Sequence, residues 1–378
     1  MRTPRLLALV AATAAAVPLA ACGDDSGSDA AAGGSGKITV DASDTDCKVA
    51  AGQSDAGTVT FAVANKGNKV TEFYVYAPGD RVMGEVENIA PGLSRELIVE
   101  LAAGTYETAC KPGMIGKGIR NAFQVSGSAA PLTEDAKLAQ ATKDYQRYVK
   151  SQTGALIDKT TEFVTAVKAG DIEKSKALFP IARTYWERIE PVAESFGDLD
   201  PKIDAREADL EAGQKWTGFH KIEKDMWVAK DVSKSGPTAD QLLTDVKTIV
   251  DKANTVTLSP VQLANGSKGL LDEVATGKIT GEEDTFSHTD LWDFAANVEG
   301  SQAAIAALRP ALEEKDPALV KTLDERFASV EAALGKHRDG DGWKLHNTLS
   351  QADLKALSDE INALSEPISK VAALVAGK

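Results

Sequence analysis

The chain has 378 residues and a mass of 39.8 kDa, which is more than one ordinary domain needs and predicts two. Hydrophobic residues make up 43% and charged residues 26%, a balance that excludes a chain disordered throughout and a polytopic membrane protein. The formal net charge of −14 repels nucleic acid and anionic lipid headgroups, so both are excluded as main partners. An acidic surface favours cations, and only four histidines and three cysteines are available to hold a metal ion.

The first 21 residues have the pattern of a secretory signal. Two arginines precede an apolar, alanine-rich run that is shorter than the roughly 20 residues a membrane span requires. The run ends in Leu19-Ala20-Ala21-Cys22, which resembles the lipobox of bacterial lipoproteins. That resemblance implies cleavage before Cys22 and a diacylglycerol on its thiol. An ordinary signal peptide with an incidental cysteine is the alternative.

Residues 22–36 are rich in glycine, serine, aspartate and alanine and cannot bury a core, so they are predicted to be a flexible tether. Removal of the signal with its two arginines would change the net charge from −14 to −16. We therefore expect the protein at the extracytoplasmic face of the cell membrane, anchored by lipid.

Residues 37–128 are predicted to form short strands. Apolar and polar residues alternate at 58–63 and again at 72–76, and Gly/Pro/Asn turn signals separate the runs. Further candidate strands are 81–89, 95–101, 105–110 and 122–125. About seven strands in some 90 residues, without a helical stretch, predict a β-sandwich.

After a small-residue linker containing Pro131, the hydrophobic period changes to that of helices. Apolar residues three or four apart predict a long helix over 138–167, which Gly170 stops. The clearest later helical patterns are 239–253, 301–308, 317–334 and 351–375. Residues 134–378 are therefore predicted to be an all-α bundle, and the fold class is a multidomain β + α protein.

Cys47 and Cys110 remain in the sandwich once Cys22 is assigned to lipid. The segment 106–110, followed by Met114, resembles the ligand loop of cupredoxins. A blue-copper site needs two histidines as well as a cysteine. The sandwich contains no histidine, which excludes a blue-copper site there. A structural disulfide suits an oxidising compartment, while a metal site using the thiolates stays open as the alternative.

The bundle contains a histidine and carboxylates at helical spacing. His220 and Glu223 are three residues apart, which puts imidazole and carboxylate on one helix face, and Glu187 and Glu190 repeat this spacing. Asp204 follows in an aspartate-rich loop. Each carboxylate alone is more often part of a solvated face, but carboxylates turned inward together repel one another unless a cation neutralises them. Oxygen ligands with one imidazole favour iron or manganese, allow zinc, and disfavour copper(I).

Four motifs between residues 183 and 223 carry a family resemblance: Tyr-Trp-Glu at 185–187, Ile-Glu-Pro at 189–191, the aspartate-rich loop at 198–204 and the histidine motif at 217–223. Together they resemble the imelysin family, also called M75. The stretch 287–294 is similar to the same family. With a histidine-poor cupredoxin-like domain in front, the chain from residue 37 to its end is similar to the iron-uptake members of that family.

The resemblance implies capture of ferrous or ferric iron and its delivery to a membrane iron permease, beside a haem peroxidase-like partner. Iron is the implied metal, with zinc or copper as alternatives. In the family pattern the bundle ligands would be Glu187, Glu190, Asp204, His220, Glu223 and Glu283. The cupredoxin-like domain would contribute Cys47, Glu72 and Cys110, as a second metal site or with the cysteines in a disulfide. Whether this domain adds ferroxidase activity stays open. The lipobox departs from soluble periplasmic members and fits a cell without an outer membrane.

Two other function classes are considered. The M75 label derives from peptidase classification, but a zincin has two histidines four apart, and positions 216 and 224 hold Trp216 and Lys224. A peptidase is therefore disfavoured and no enzymatic activity is expected. Cation-dependent binding of an anionic polysaccharide is the other alternative, since five tryptophans could stack on sugars. Trp186, Trp216 and Trp227, however, lie beside the proposed ligands and are expected in the core.

Overall fold

The structure is a computed structural model that describes residues 37–196, 199–210 and 213–378. The predicted signal (1–21), tether (22–36) and lipid-bearing Cys22 lie outside the described residues. Within the described part of the chain, no helix is long and apolar enough to cross a membrane.

In the part of the chain that the structure describes, a two-sheet sandwich of nine strands confirms the predicted β domain. The strands are β1 (Ile38–Ala42), β2 (Cys47–Val49), β3 (Gln53–Asp55), β4 (Gly57–Asn65), β5 (Thr71–Ala77), β6 (Arg81–Ile89), β7 (Ser94–Leu101), β8 (Gly104–Pro112) and β9 (Ile119–Ser126). One sheet has the order β2-β1-β4-β7 and the other β3-β9-β8-β5-β6. β1 pairs in parallel with β4, and β3 with β9, while the other neighbours are antiparallel.

Side chains that point alternately inward and outward along the strands form the core between the two sheets. In β4, every second side chain faces inward, and Phe61 meets Phe73 and Phe123 at ring-centroid distances of 5.2 and 5.3 Å. The six segments placed in the sequence correspond to β4–β9, so β1, β2 and β3 were not placed. β2 and β3 have three residues each, which is too short to display an alternating pattern.

The predicted helical bundle follows the sandwich. Its helices are α1 (Ala136–Lys168), α2 (Ile172–Glu187), α3 (Glu190–Glu194), α4 (Asp200–Asp204), α5 (Gly218–Lys224), α6 (Gly236–Ala253), α7 (Pro260–Thr276), α8 (Asp290–Lys315), α9 (Pro317–Gly335), α10 (Gln351–Ile368) and α11 (Val371–Val375). A hairpin of β10 (Arg338–Asp339) and β11 (Gly342–Trp343) lies between α9 and α10.

The ends of the helices follow local chemistry. Asp135 caps α1 by accepting hydrogen bonds from the backbone N–H groups of Lys137 and Leu138, and Gly170 after its end adopts a φ of 74°. The predicted single helix over 351–375 is in fact two helices. Pro367 lies in the last turn of α10, and the chain turns at 369–370 before α11 begins.

The sandwich and the bundle belong to one compact unit. The side-chain amide of Asn265 on α7 donates to the carbonyl of Ile98 on β7 at 2.8 Å, and Arg95 lies 3.5 Å from Asp272. We keep residues 37–128 and 134–378 as the proposed bounds of the two domains.

Candidate metal centre

A cluster of buried charged side chains lies inside the bundle, between α2, α5, α8 and the segment 278–289. The six predicted bundle ligands all converge there, and five of them are no more than 8% exposed. The buried members of the cluster are Arg183, Glu187, Glu190, His220, Glu223, Lys278, Glu283, Asp284 and Asp293, with half-buried Asp204 at its side. So many buried ionisable groups must compensate one another or a bound cation.

Glu187 and Glu190 do not share one helix, contrary to the sequence prediction. α2 ends at Glu187 and α3 begins at Glu190, because Pro191 has no N–H to donate to the carbonyl of Glu187. The side-chain amide of Asn297 donates to that carbonyl instead, at 3.0 Å, and also to the carboxylates of Glu187 and Glu190 at 3.1 and 3.2 Å. The break and Asn297 together turn both carboxylates toward the cluster.

Gly218 allows α5 to pack closely on α4. Its φ is 88°, and a Cβ at this position would lie 2.2 Å from the carbonyl oxygen of Ile203. Only glycine accommodates both this backbone conformation and this approach. The contact holds His220 on α5 beside Asp204 at the end of α4.

His220 is held by Glu223 through one ring nitrogen. His220 Nδ1 lies 3.0 Å from Glu223 Oε2, as the predicted helical spacing requires. Glu223 Oε1 accepts hydrogen bonds from the backbone N–H groups of Phe286 and Ser287, at 3.0 and 2.7 Å. Both carboxylate oxygens of Glu223 are therefore engaged, and Glu223 links α5 to the segment that carries Glu283.

The other ring nitrogen of His220 has no hydrogen-bond partner among the described residues, although it is buried. His220 Nε2 lies 3.4 Å from Asp204 Oδ1 and 3.4 Å from Glu283 Oε1. One ligand atom from each of these three residues falls within 4.8 Å of the others. An imidazole with two carboxylates at this spacing has the geometry and the donor atoms to bind a divalent or trivalent cation.

Asp204 also belongs to a second group of carboxylates. One oxygen from each of Glu187, Glu190 and Asp204 lies within 4.8 Å of the other two. Asp204 Oδ2 accepts a hydrogen bond from the indole of Trp186 at 2.9 Å, and Trp186 is fully buried. Trp186 therefore orients a predicted ligand and lies in the core, as expected, whereas Trp216 and Trp227, expected there too, are half-buried.

Arg183, which the sequence prediction missed, lies in the middle of the cluster. Its guanidinium is fully buried and contacts five carboxylates. The partners are Glu187 at 2.5 Å, Glu283 at 2.7 Å, Asp293 at 3.3 Å, Asp284 at 3.4 Å, and Asp204. Only its spacing of four residues from Glu187 is visible in the sequence, because the other partners lie 21 to 110 residues away.

Lys278 is a second internal cation that was not predicted. Its ammonium is 1% exposed and lies 3.4 to 3.7 Å from oxygens of Glu187, Glu190, Glu273 and Glu283. Burial would lower the pKa of Lys278, but these carboxylates, with Glu187 foremost, raise it well above the usual value. The ammonium is thus charged at neutral pH.

Asp284 and Asp293 complete the cluster from the acidic segment and α8. Each has one buried carboxylate oxygen, Oδ1, without a hydrogen-bond partner in the described part of the chain. Asp284 Oδ2 accepts a hydrogen bond from the hydroxyl of Thr289. The acidic run at 282–284 signalled this region in the sequence, but nothing in it distinguished which carboxylates turn inward.

The pKa values show how strongly the groups are coupled. Burial and the nearby Arg183 would lower the pKa of His220, but Glu223, Glu283 and Asp204 more than offset them and raise it to about 10. Burial raises the pKa of Asp284 to about 8 although Arg183 opposes it. Burial and Glu187 raise the pKa of Glu190 well above its usual range. Protons and internal cations therefore balance the carboxylates when no metal is bound.

A cleft of about 580 Å³ between the bundle and the sandwich reaches this cluster. Glu190, Asp204 and Glu283 line it from the bundle, and Glu85 and Glu87 line it from β6 of the sandwich. Nine acidic and five basic residues line the cleft, so carboxyl groups outnumber the basic side chains where a cation would approach the buried groups.

The sandwich does not bring its three predicted ligands together. Cys47 and Cys110 are joined in a disulfide with a Cα–Cα distance of 5.5 Å. Cys110 lies opposite Phe73 and shares its face of the sheet, which is the core face. Glu72 directly precedes Phe73 in β5, so its side chain points to the opposite face of the sheet. There it lies 3.8 Å from Lys111.

Comparison with known proteins gives matches to both halves of the chain. The sequence profile of the imelysin family (peptidase M75) matches residues 141–371, and that of the cupredoxin-like domain matches residues 6–119. The iron uptake system component EfeO of Escherichia coli O157:H7 is 40% identical over 344 residues, which cover 89% of this chain and 90% of that protein. The proteins of the same name in Escherichia coli K12 and Shigella flexneri are 39% identical with the same coverage.

Proposed function

Because the chain belongs to the imelysin family, in the two-domain form with a cupredoxin-like domain that is shared with iron uptake system components called EfeO, we propose that it is an iron-binding protein of an iron uptake system. In this proposal the bundle captures ferrous or ferric iron outside the cytoplasmic membrane. A lipid on Cys22 anchors the chain, and the iron passes to a membrane permease beside a haem peroxidase-like partner.

The observation that carries the proposal is the buried Nε2 of His220, which has carboxylate oxygens of Asp204 and Glu283 at 3.4 Å and no hydrogen-bond partner among the described residues. A buried polar atom without a partner costs free energy unless a ligand satisfies it. Carboxylate oxygens with one imidazole suit iron, whereas the softer thiolate and thioether ligands of copper(I) are missing from the cluster.

We propose that Asp204, His220 and Glu283 bind the ion, with Glu187 and Glu190 beside them. Glu223 has another role. Its carboxylate holds Nδ1 of His220 and two backbone N–H groups, which fixes the ring so that Nε2 points to the ion. A carboxylate behind a ligating histidine is the usual arrangement of such sites.

We further propose that the chain binds iron without transforming a substrate. A peptidase of the zincin type needs a second histidine four residues away, and Trp216 and Lys224 occupy both positions. In the sandwich, the disulfide takes up both thiolates and Glu72 points away from it, so we assign no metal there. The sandwich then serves to form the cleft and to dock partner proteins.

The proposal is tested by iron binding of the full chain and of His220→Gln. Anaerobic equilibrium dialysis with Fe²⁺, and dialysis with ferric citrate, give the dissociation constants. Loss of the imidazole should weaken iron binding by at least about tenfold, since even partners behind a ligand contribute that much. His337→Gln is the matched control, because His337 lies in the turn after α9, far along the chain from the cluster. Equal iron affinities of wild type and His220→Gln would contradict the proposed site. A wild-type protein that binds no iron would contradict the proposed function.

A further inference from the structure

The ammonium of Lys278 occupies a position in the cluster that a metal cation would also favour. It faces the Oε2 oxygens of Glu187, Glu190 and Glu283, at 3.4, 3.6 and 3.7 Å. Arg183 uses the other oxygen, Oε1, of Glu187 and of Glu283. The guanidinium and the ammonium thus divide the carboxylate oxygens between them. The ammonium holds one oxygen each of Glu187 and Glu190, which lie beside the proposed ion, and the second oxygen of Glu283.

The two internal cations differ in how firmly they are held. Arg183 is a fully buried residue of α2. Its planar guanidinium contacts five carboxylates, most of them at hydrogen-bond distance. The contacts of Lys278 are all 3.4 Å or longer, and an ammonium is a point charge on a flexible four-carbon stem. Lys278 is therefore the cation that can leave.

The main chain around Lys278 is fixed, so its side chain must make the movement. Lys278 begins the 3₁₀ turn Lys278–Thr280 directly after α7. His346 Nε2 lies 3.0 Å from the carbonyl oxygen of Ile279, and the ring of His346 packs against Gly281. These contacts hold the turn in place while leaving the lysine stem to change its rotamers.

Glu273 offers the ammonium a second place. Glu273 Oε2 lies 3.4 Å from Lys278 Nζ, and the Glu273 side chain is 26% exposed in the wall of the cleft. Among the described residues, Glu273 belongs to no group whose ligand atoms could share one ion with Asp204 or His220. A shift of Nζ toward Glu273 keeps one ion pair and frees the Oε2 oxygens of the three other glutamates.

We propose that Lys278 is a built-in competing cation, which fills the carboxylate centre when it is empty and swings to Glu273 when iron binds. The inference rests on the proposed iron-binding function and adds the way in which the same site is regulated. The competition lowers the affinity for iron and speeds its release, because the returning ammonium replaces the departing ion. Such a site binds iron without trapping it, as delivery to a second protein requires.

The test compares Lys278→Met with the wild-type full chain. Methionine keeps the length of the stem and removes the charge, so iron should bind roughly tenfold more tightly or better and dissociate more slowly. Lys321→Met, at a lysine whose side chain is 78% exposed, is the control and should leave both quantities unchanged. Equal or weaker iron binding by Lys278→Met would overturn the inference. Wild type without iron binding would instead overturn the proposed function.

Glu273→Gln keeps the inference testable if Lys278→Met does not fold. Without its second partner the ammonium stays with the iron ligands, so this variant alone should bind iron more weakly, by about threefold to tenfold. Where Lys278→Met does fold, the same change in that background should have no effect, because there is no ammonium to receive. Unchanged affinity in the single variant, or an equal loss in both backgrounds, would contradict the movement of Lys278.

Discussion

His220 and Glu223 stand three residues apart on α5 and make different contributions to the centre. One oxygen of the Glu223 carboxylate contacts Nδ1 of His220, and the other accepts hydrogen bonds from the backbone N–H groups of Phe286 and Ser287. Nε2 of His220 is left without a hydrogen-bond partner in the described part of the chain, next to Asp204 and Glu283. The motif thus provides one ligand and the group that orients it.

The raised pKa of His220 predicts that iron binding depends on pH. With a pKa of about 10 the ring is protonated at neutral pH, and iron must displace that proton to reach Nε2. Affinity should therefore fall on acidification, by up to about tenfold per pH unit between pH 8 and 6. Anaerobic Fe²⁺ titrations in this range, with the released protons counted in weak buffer, check the prediction. His220→Gln should release about one proton fewer, and an affinity that rises toward pH 6 would contradict the account.

At the scale of residues, the sequence spacing predicted the histidine and the carboxylates of the site but not its two internal cations. His220 with Glu223, and Glu187 with Glu190, could be paired because three residues on a helix share a face. Arg183 and Lys278 could not be assigned, since most of their partners are far away in the chain. A lone arginine or lysine on a helix is usually solvent-exposed, and burial becomes visible only after the helices have packed.

At the scale of elements, short breaks bring the ligands together. Pro191 ends the helical run after Glu187, and Asn297 on α8 binds the carbonyl that this break leaves unpaired. Gly218 lets α5 approach the backbone of α4. The sequence predicted α1, α6, α9 and six of the strands because their periods extend over many residues, but it placed only residues 301–308 of α8 and did not single out α2 or α7. It predicted a common helix for Glu187 and Glu190, because one proline after a helical pattern does not reveal where the break falls.

Gly218→Ala tests the contact between α4 and α5. The new Cβ would meet the carbonyl of Ile203 in a backbone conformation unfavourable to alanine, so the free energy of unfolding should fall by about 1–3 kcal/mol or more. Iron affinity should fall as well, because His220 and Asp204 are displaced from each other. Chemical denaturation and equilibrium dialysis measure the two effects. Gly154→Ala within α1, where a Cβ meets nothing within 4 Å, is the control and should be neutral or stabilising by up to about 1 kcal/mol. Similar stability of the two variants would contradict the role of Gly218.

At the scale of the whole molecule, the carboxylates that matter for the proposed function are the few inside the bundle and in the cleft that reaches them, out of 56 acidic residues in the chain. Two domains of different class were predictable, because the hydrophobic period changes between residues 126 and 138. Their interface was not, since contacts such as Asn265 to Ile98 follow no periodic pattern. The disulfide leaves the sandwich without free thiolates among the described residues, so iron is expected in the bundle.

Iron K-edge X-ray absorption of the full chain loaded with equimolar iron tests the central claim most directly. The account predicts a shell of oxygen and nitrogen ligands with the outer scattering of an imidazole and no sulfur, because Asp204, His220 and Glu283 hold the ion. In His220→Gln, loaded at a higher iron concentration, the imidazole scattering should be gone. A sulfur shell, which would place iron at Cys47 and Cys110, or imidazole scattering that persists in His220→Gln, would contradict the account.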